Sequence, residues 1–152
     1  MKSDKIQVLF ICVHNSARSQ MAQELLNKYG GNKYHADSAG LEAGTLNPVV
    51  VKLILDEEGI DISGKETIDV MDLFRSGKIY RYVITVCSRE AETRCPVFPG
   101  ISERINWEFD DPSAIEGSEE EKYQATKIIF DQIKHKIMDF FISGAASVPE
   151  EK

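Results

Sequence analysis

The first residues with an evident chemistry are a cysteine and an arginine at the two ends of a short polar loop. Cys12 ends the apolar run "KIQVLFIC", and Arg18 lies where the helix-like stretch "ARSQMAQELLNKYG" begins. A loop between a strand and a helix can direct successive backbone N–H groups inward and form a nest for an anion. The helix adds the positive end of its dipole, and the arginine offers a planar fork for two oxygens of a tetrahedral anion. The spacing therefore predicts an anion-binding loop with a sulfur beneath the anion.

The field that attracts an anion also stabilises a thiolate, the nucleophilic form of cysteine. Ser19 could donate a hydrogen bond to that thiolate. A simpler interpretation of Cys12 stays open, because cysteine is often an ordinary core residue. His14 has no acidic partner in the loop, so it is expected to face solvent. The strand before the loop, the helix after it and an asparagine that tolerates a left-handed backbone favour a nucleophile in an anion site. The predicted oxyanion-binding groups belong to Val13, His14, Asn15, Ser16, Ala17 and Arg18.

Strand-like and helix-like stretches alternate along the whole chain. The strand-like runs are "KIQVLFIC", "YHADSAG", "IYRYVITVC" and the weaker "ISERINWEF". Asn47 and Ser118 are expected N-caps of two helices that follow them. The alternation indicates right-handed βαβ units in an α/β fold, with a parallel sheet covered by helices on both faces. Such sheets bind ligands beyond the carboxyl ends of their strands, where Cys12 ends the first strand and Cys87 ends the third.

Length and charge limit what the chain can do. Its 152 residues suit a single catalytic domain, predicted to span 1–143, and the small polar stretch 144–152 is expected to be a flexible tail. The formal net charge of −7 argues against a general affinity for nucleic acid or anionic membranes. No run approaches the roughly 18 apolar residues of a membrane span, and the N-terminus lacks a signal-peptide pattern. We therefore expect a cytoplasmic protein that captures any anionic ligand by local design.

Three cysteines cannot all pair with one another in disulfides, so a site or a redox function is favoured over a structural framework. The chain has neither a nucleotide-binding fingerprint nor paired CxxC metal motifs. Cys87 and Cys95 bracket a charged, poorly periodic segment that is suited to rearrangement. Burial of either thiol is a plain alternative, and a metal site is disfavoured because no further histidine or cysteine stands close in sequence.

The stretch "CVHNSARSQMA" has the C-x5-R-S signature and resembles the low-molecular-weight tyrosine phosphatase superfamily, most of all the arsenate reductases within it. The likeness continues through "DSAG", "NP", "VITVC", "CPVFPG" and "WEFDDP", from residue 5 to about residue 140. The resemblance implies a three-layer fold with a four-stranded parallel sheet. It also implies Cys12 as nucleophile, Arg18 and the loop amides as oxyanion binders, and Asp111 as general acid. From local sequence alone, Asp110 and Asp111 before a proline suit a turn or a helix cap equally well.

The resemblance also implies a reaction, the reduction of arsenate to arsenite in arsenic detoxification. Cys12 attacks arsenic, Cys87 attacks the Cys12 sulfur so that arsenite leaves with the electron pair, and Cys95 then takes over the disulfide. Each step is thiolate exchange, and thioredoxin is the expected reductant of the Cys87–Cys95 disulfide. Phosphate and sulfate are expected competitors, a monomer is expected, and no cofactor is required beyond the redox-active disulfide.

Two rival functions remain. The first is a phosphatase that hydrolyses phosphate monoesters through a phospho-cysteine, although the residues after Asp111 lack the tyrosines that flank an aromatic substrate; these residues are Pro112, Ser113, Ala114 and Ile115. The second is a binding module that senses oxyanions without turnover, for which the cysteines would be dispensable.

The chain departs from the reductases at two places. Seven residues separate Cys87 from Cys95, one more than in the reductases it resembles. Gln23 stands where several relatives have a glutamate that helps to bind potassium. Asn15, Ser38 and Asp69 remain as predicted potassium ligands.

Overall fold

Four parallel strands form one sheet in the spatial order β2-β1-β3-β4. In a computed structural model that describes residues 5–98, 100 and 102–143, the strands are β1 Ile6–Cys12, β2 Tyr34–Gly40, β3 Tyr82–Thr85 and β4 Glu103–Asn106. β1 pairs with β2 on one side and with β3 on the other. A strand buried between two neighbours and beneath helices reads as a continuous apolar run, as "KIQVLFIC" does. The predicted four-stranded parallel sheet is confirmed, and the predicted tail 144–152 lies outside the described residues.

Within the described residues, five α-helices connect and follow the strands. They are α1 Arg18–Gly30, α2 Pro48–Glu58, α3 Val70–Ser76, α4 Arg89–Glu92 and α5 Glu119–Ile137, with a 3₁₀ turn at Pro112–Ala114 and a π-helical turn at Met138–Ile142. The predicted caps are present, because the Asn47 side chain accepts the Val49 N–H and Ser118 forms a reciprocal capping box with Glu121. Among the helices of the described residues, none is long and apolar enough to cross a membrane.

Side chains of β1 alternate between two apolar clusters on opposite faces of the sheet. Val8, Phe10 and Cys12 pack with α1, α2 and α5 on the first face. Leu9 and Ile11 pack on the second face with residues of α3. Helices thus cover both faces, and the predicted three-layer α/β arrangement is confirmed.

β3 is shorter than the run "IYRYVITVC" predicts, and it ends two residues before Cys87. Asn106, the last residue of β4, contacts the chain at this end. Its side-chain amide donates to the Thr85 hydroxyl at 2.7 Å and to the Cys87 carbonyl at 3.1 Å. Backbone hydrogen bonds continue one step past β3, because the Val86 N–H donates to Ile11 and the Trp107 N–H donates to Thr85, both at 2.8 Å. Cys87 follows directly beyond this edge of the sheet.

Glu58 ties three helices of the first face together. Its carboxylate is 2% exposed and accepts hydrogen bonds from Lys28 at 2.9 Å, Tyr29 at 2.6 Å and Lys134 at 3.0 Å. Burial raises the pKa of Glu58, but these three hydrogen bonds outweigh burial and hold the pKa below its ordinary value. The ionised carboxylate is therefore the form that stabilises the fold.

Replacing Glu58 by glutamine is expected to lower the free energy of unfolding by about 2 kcal/mol at pH 7, since charge-assisted hydrogen bonds are lost. Because the pKa is depressed in the folded state, this contribution is complete above the unfolded-state pKa and disappears as the pH falls through the folded-state value. Urea unfolding of both proteins at pH 7 and at acid pH measures the difference. Glu57→Gln, at a more exposed neighbour, is the matched control with an expected loss under about 0.5 kcal/mol. A difference that stays constant down to acid pH contradicts the assignment.

Candidate active site

The backbone of the loop after β1 is anchored by its carbonyl groups. The carbonyls of Cys12, Val13, His14 and Ser16 accept hydrogen bonds of 2.8–3.0 Å from the amides of residues 41, 42, 44 and 47. In a trans peptide the following N–H points opposite to the carbonyl, so the N–H groups of residues 13, 14, 15 and 17 turn to the other side. No acceptor among the described residues takes the N–H groups of 13–17. This arrangement is suited to binding an anion.

Asn15 gives the loop its curvature. It has a φ of 58°, and it is the one non-glycine residue with positive φ among the described part of the chain. The side chain is fully buried, and its Oδ1 accepts the Ile68 N–H at 2.9 Å. Buried hydrogen bonds thus hold a backbone conformation that is unfavourable by itself.

The end of β2 presses directly against this loop. A Cβ atom on Gly40 would lie 2.7 Å from the backbone nitrogen of Asn15 and 2.7 Å from the carbonyl carbon of His14. Both atoms are backbone, so the clash cannot be relieved by a side-chain rotation.

Gly40→Ala is therefore expected to displace the loop and to destabilise the protein by about 1–3 kcal/mol. Phosphate affinity, measured by calorimetry, is expected to fall together with stability, because the loop N–H groups no longer point at a single bound anion. Gly64→Ala is the control, since a Cβ there has no atom within 4 Å. Unchanged phosphate binding by Gly40→Ala would show that the loop does not depend on this contact.

Cys12 is 2% exposed, and its Sγ lies 2.8 Å from the Ser19 hydroxyl. That hydroxyl already accepts a hydrogen bond from Asn15 Nδ2 at 2.8 Å. Its own hydrogen is therefore available for the sulfur, and Ser19 is the donor whenever Cys12 is a thiolate. The Ser19 hydroxyl thus lies where the sequence analysis expects a donor to the sulfur.

Arg18 joins the loop to the segment that follows β4. It is 7% exposed, its Nη1 donates to the Phe109 carbonyl at 3.1 Å, and its Nη2 lies 3.7 Å from Asp111 Oδ2. The other Asp111 oxygen accepts the Ser113 N–H at 2.9 Å and caps the 3₁₀ turn. One side chain therefore caps the 3₁₀ turn and also lies beside the arginine of the loop. The role of Asp111 as general acid stays a prediction.

A cavity of about 480 Å³ opens over the loop. Its lining includes the loop residues Val13 and Arg18, residues from the segment after β4, and Cys87 with Ser88 from the end of β3; the lining from the segment after β4 is Glu108, Phe109, Asp110 and Asp111. The cavity lies at the carboxyl ends of β1 and β3, where strand order reverses and open α/β sheets bind ligands. A larger cleft of about 550 Å³ between α2 and α5 has no cysteine in its lining, so the smaller cavity is the candidate active site.

Cys95 does not share that cavity. It packs into the apolar cluster on the second face of the sheet with Phe98, whereas Cys12 and Cys87 belong to the cluster on the first face. Its carbonyl accepts a hydrogen bond from Arg104 at 3.1 Å. All three cysteines are buried, and none forms a disulfide. The structure thus places Cys12 and Cys87 on one face of the sheet, with Cys87 in the lining of the cavity, and places Cys95 on the other face.

The predicted potassium ligands lie close together but use their oxygens elsewhere. Asn15 Oδ1 accepts the Ile68 N–H, and the Ser38 hydroxyl donates to Gln23 and accepts from Asn15 Nδ2. Asp69 accepts the Met71 N–H with one oxygen as the cap of α3. These oxygens each have a hydrogen-bond partner within the protein, and the potassium site stays a prediction. Within the described residues, no group of three His, Cys, Asp or Glu side chains is placed to hold a metal ion.

Three contacts near the loop were not predicted from the sequence. Gln20 Nε2 donates to both the backbone carbonyl and Oδ1 of Asn15 at 3.0 Å, and Lys65 donates to Gln20 Oε1 at 2.7 Å. Asn47 donates through its side chain to the Ser113 hydroxyl at 3.1 Å. Lys65 and Ser113 are distant in sequence from their partners, and no local pattern indicates either contact.

Comparisons with known proteins agree with this geometry. A family described as low molecular weight phosphotyrosine protein phosphatase matches residues 7–152. The chain is 39% identical over 143 residues to an arsenate reductase of Halalkalibacterium halodurans, which covers 93% of this chain and 99% of the relative. A solved arsenate reductase in the phosphate binding state has a TM-score of 0.68 and 25% identity, and the match covers 92% of this chain and 99% of that one. A thioredoxin-dependent arsenate reductase from Corynebacterium glutamicum has a TM-score of 0.59 and 31% identity, with 91% of this chain and 64% of that chain covered.

Proposed function

The chain belongs to the low molecular weight phosphotyrosine protein phosphatase family, and we propose that within this family it reduces arsenate to arsenite with its own thiols. The observation that carries the proposal is that a second thiol, Cys87, lines the same cavity as the anion loop. Hydrolysis of a phosphate ester needs one nucleophile, whereas reduction needs two electrons. Two thiols supply those electrons when they end as a disulfide.

In the proposed first step, the Cys12 thiolate attacks the arsenic of arsenate bound by Arg18 and the loop amides. An S–As bond forms and an As–O bond breaks, and Asp111 protonates the departing oxygen so that it leaves as water. Preorganised N–H donors stabilise the charge that builds on the remaining oxygens.

In the second step, the Cys87 thiolate attacks the Cys12 sulfur. The S–As bond breaks with its electron pair on arsenic, which becomes arsenite, and a Cys12–Cys87 disulfide forms. In the third step, Cys95 attacks the Cys87 sulfur, which frees the Cys12 thiolate and leaves a Cys87–Cys95 disulfide. Disulfide formation requires Cα atoms about 5.5 Å apart. Cys95 lies on the opposite face of the sheet, so the segment 88–98 must rearrange before this step.

Thioredoxin is the proposed reductant of the final disulfide. Support comes from the Corynebacterium glutamicum relative, which is named as thioredoxin-dependent. The three-thiol relay also supports thioredoxin as the reductant, because the relay ends in an intramolecular disulfide and a protein with two thiols can reduce it by exchange.

The test is arsenate-dependent NADPH oxidation with thioredoxin and thioredoxin reductase, together with direct measurement of arsenite. The proposal expects one NADPH consumed for each arsenite formed, and no activity for Cys12→Ser. Phosphatase activity is the second candidate, favoured by the fit of the loop to any tetrahedral oxyanion. If arsenate causes no NADPH oxidation while p-nitrophenyl phosphate is hydrolysed in many turnovers, phosphate ester hydrolysis is the function.

A further inference from the structure

We propose that Lys65 is a positioning residue that stabilises the Cys12 thiolate through a one-way chain of hydrogen bonds. The chain runs from Lys65 Nζ to Gln20 Oε1 at 2.7 Å, and from Gln20 Nε2 to Asn15 Oδ1 at 3.0 Å. It continues from Asn15 Nδ2 to the Ser19 hydroxyl at 2.8 Å, which lies 2.8 Å from the Cys12 sulfur. The proposal rests on the proposed role of Cys12 as the nucleophile.

The direction of the chain is fixed by groups that can only donate or only accept. The Lys65 ammonium has donors only, so the Gln20 oxygen must face it, and the Gln20 NH₂ group then faces Asn15. The backbone carbonyl of Asn15, which only accepts, takes the same NH₂ group at 3.0 Å. The Ile68 N–H, which only donates, fixes the Asn15 oxygen at 2.9 Å. Two side-chain amides are therefore aligned head to tail between a cation and the sulfur.

The middle of this chain of hydrogen bonds is isolated from water. Asn15, Ser19 and Gln20 are fully buried, and the Lys65 side chain is only 27% exposed. In such a low-dielectric setting, each hydrogen bond strengthens the next donor in a chain. The positive charge of Lys65 thus makes the Ser19 hydroxyl a better donor to a thiolate than an uncharged chain would.

Other charged groups near the two ends define the controls. Lys65 also pairs with Glu24 at 2.8 Å, which offsets part of its charge. The titratable or charged groups around the cavity and loop at the Cys12 end are Arg18, Cys87, Glu108, Asp110, Asp111 and His14. A substitution at position 65 leaves all of these side chains in place.

The experiment follows alkylation of Cys12 by iodoacetamide against pH, with the Cys12 peptide quantified by mass spectrometry in the full chain. Lys65→Met is expected to move the midpoint of the alkylation profile up by about one pH unit, and to slow alkylation about tenfold below both midpoints. Lys65→Gln, which keeps a donor but loses the charge, is expected to fall between wild type and Lys65→Met. Lys65→Arg is expected to restore most of the effect, and Glu24→Gln to leave the midpoint unchanged or lower.

Arsenate reduction gives a second readout. The kcat/KM of Lys65→Met is expected to fall about tenfold near pH 6 and to converge with wild type at high pH, where Cys12 is ionised in both proteins. An equal loss at every pH, or an unmoved alkylation midpoint in Lys65→Met and Lys65→Gln, overturns the proposal. The proposed function fails separately, since a shifted midpoint without any arsenate-dependent electron consumption refutes arsenate reduction alone.

Discussion

Cys87→Ser is expected to abolish catalytic arsenate reduction, with a loss of about a thousandfold or more in the rate of arsenite formation. A serine hydroxyl has nearly the shape of the thiol but cannot attack the Cys12 sulfur to form a disulfide. The arsenate adduct on Cys12 would form and then stall. Hydrolysis of p-nitrophenyl phosphate needs only the anion loop and the general acid, so it is expected to stay within a few-fold of wild type. The measurement is arsenite release and p-nitrophenol release by the same preparations.

Cys95→Ser is the informative partner variant, because Cys95 lies on the other face of the sheet. It is expected to release one arsenite per protein and to stop with Cys12 and Cys87 joined, which mass spectrometry of the unreduced peptides detects. Sustained turnover by Cys87→Ser at the wild-type rate would rule out the relay. If both variants release one arsenite and then stop, the two thiols have equal and later roles, which contradicts the proposed order of attack.

Arg18→Lys is expected to lower kcat/KM for arsenate and for p-nitrophenyl phosphate alike, by about 10²–10³. The guanidinium is nearly buried and is held by the Phe109 carbonyl and by Asp111. A lysine keeps the charge but presents one ammonium group in place of a planar fork, so it cannot bind two oxygens in parallel. The lysine also loses one of the two contacts, to the Phe109 carbonyl and to Asp111, that join the loop to the segment after β4. Steady-state kinetics with both substrates measure the effect, and thermal unfolding checks that the fold is intact.

The pattern across substrates separates the two predictions. Arg18→Lys removes an oxyanion ligand and should affect both reactions, whereas Cys87→Ser removes an electron source and should affect only the reduction. Arg104→Lys serves as a control for arginine replacement outside the cavity, since Arg104 contacts the Cys95 carbonyl on the other face. A loss confined to one substrate in Arg18→Lys would contradict its assignment as the common oxyanion ligand.

The sequence alone determined the sheet, most of its helices and the anion loop. These features depend on short-range patterns. The run before Cys12 has the continuous apolar character of a central parallel strand, and Asn47 and Ser118 cap their helices through neighbours two or three residues away. The loop between Cys12 and Arg18 follows from the same local order, because a strand that ends and a helix that begins leave a turn whose N–H groups can converge.

Tertiary structure decided which side chains meet. Local sequence could not separate Asp110 from Asp111, and the folded chain places Asp111 within 3.7 Å of Arg18. Cys87 lines the cavity, and its carbonyl accepts a hydrogen bond from the Asn106 side chain, which lies 19 residues further along the chain.

Long-range packing likewise decided the surroundings of the nucleophile. The Cys95 thiol lies on the opposite face because its segment packs against α3 through Phe98. Lys65 reaches Gln20 from a loop 45 residues further along the chain. Periodicity and capping act over one or two turns of chain, whereas such contacts exist only once the strands are in register and the helices are packed. The sequence therefore determined the loop between Cys12 and Arg18, and the folded chain decided which carboxylate, which thiol and which cation lie around it.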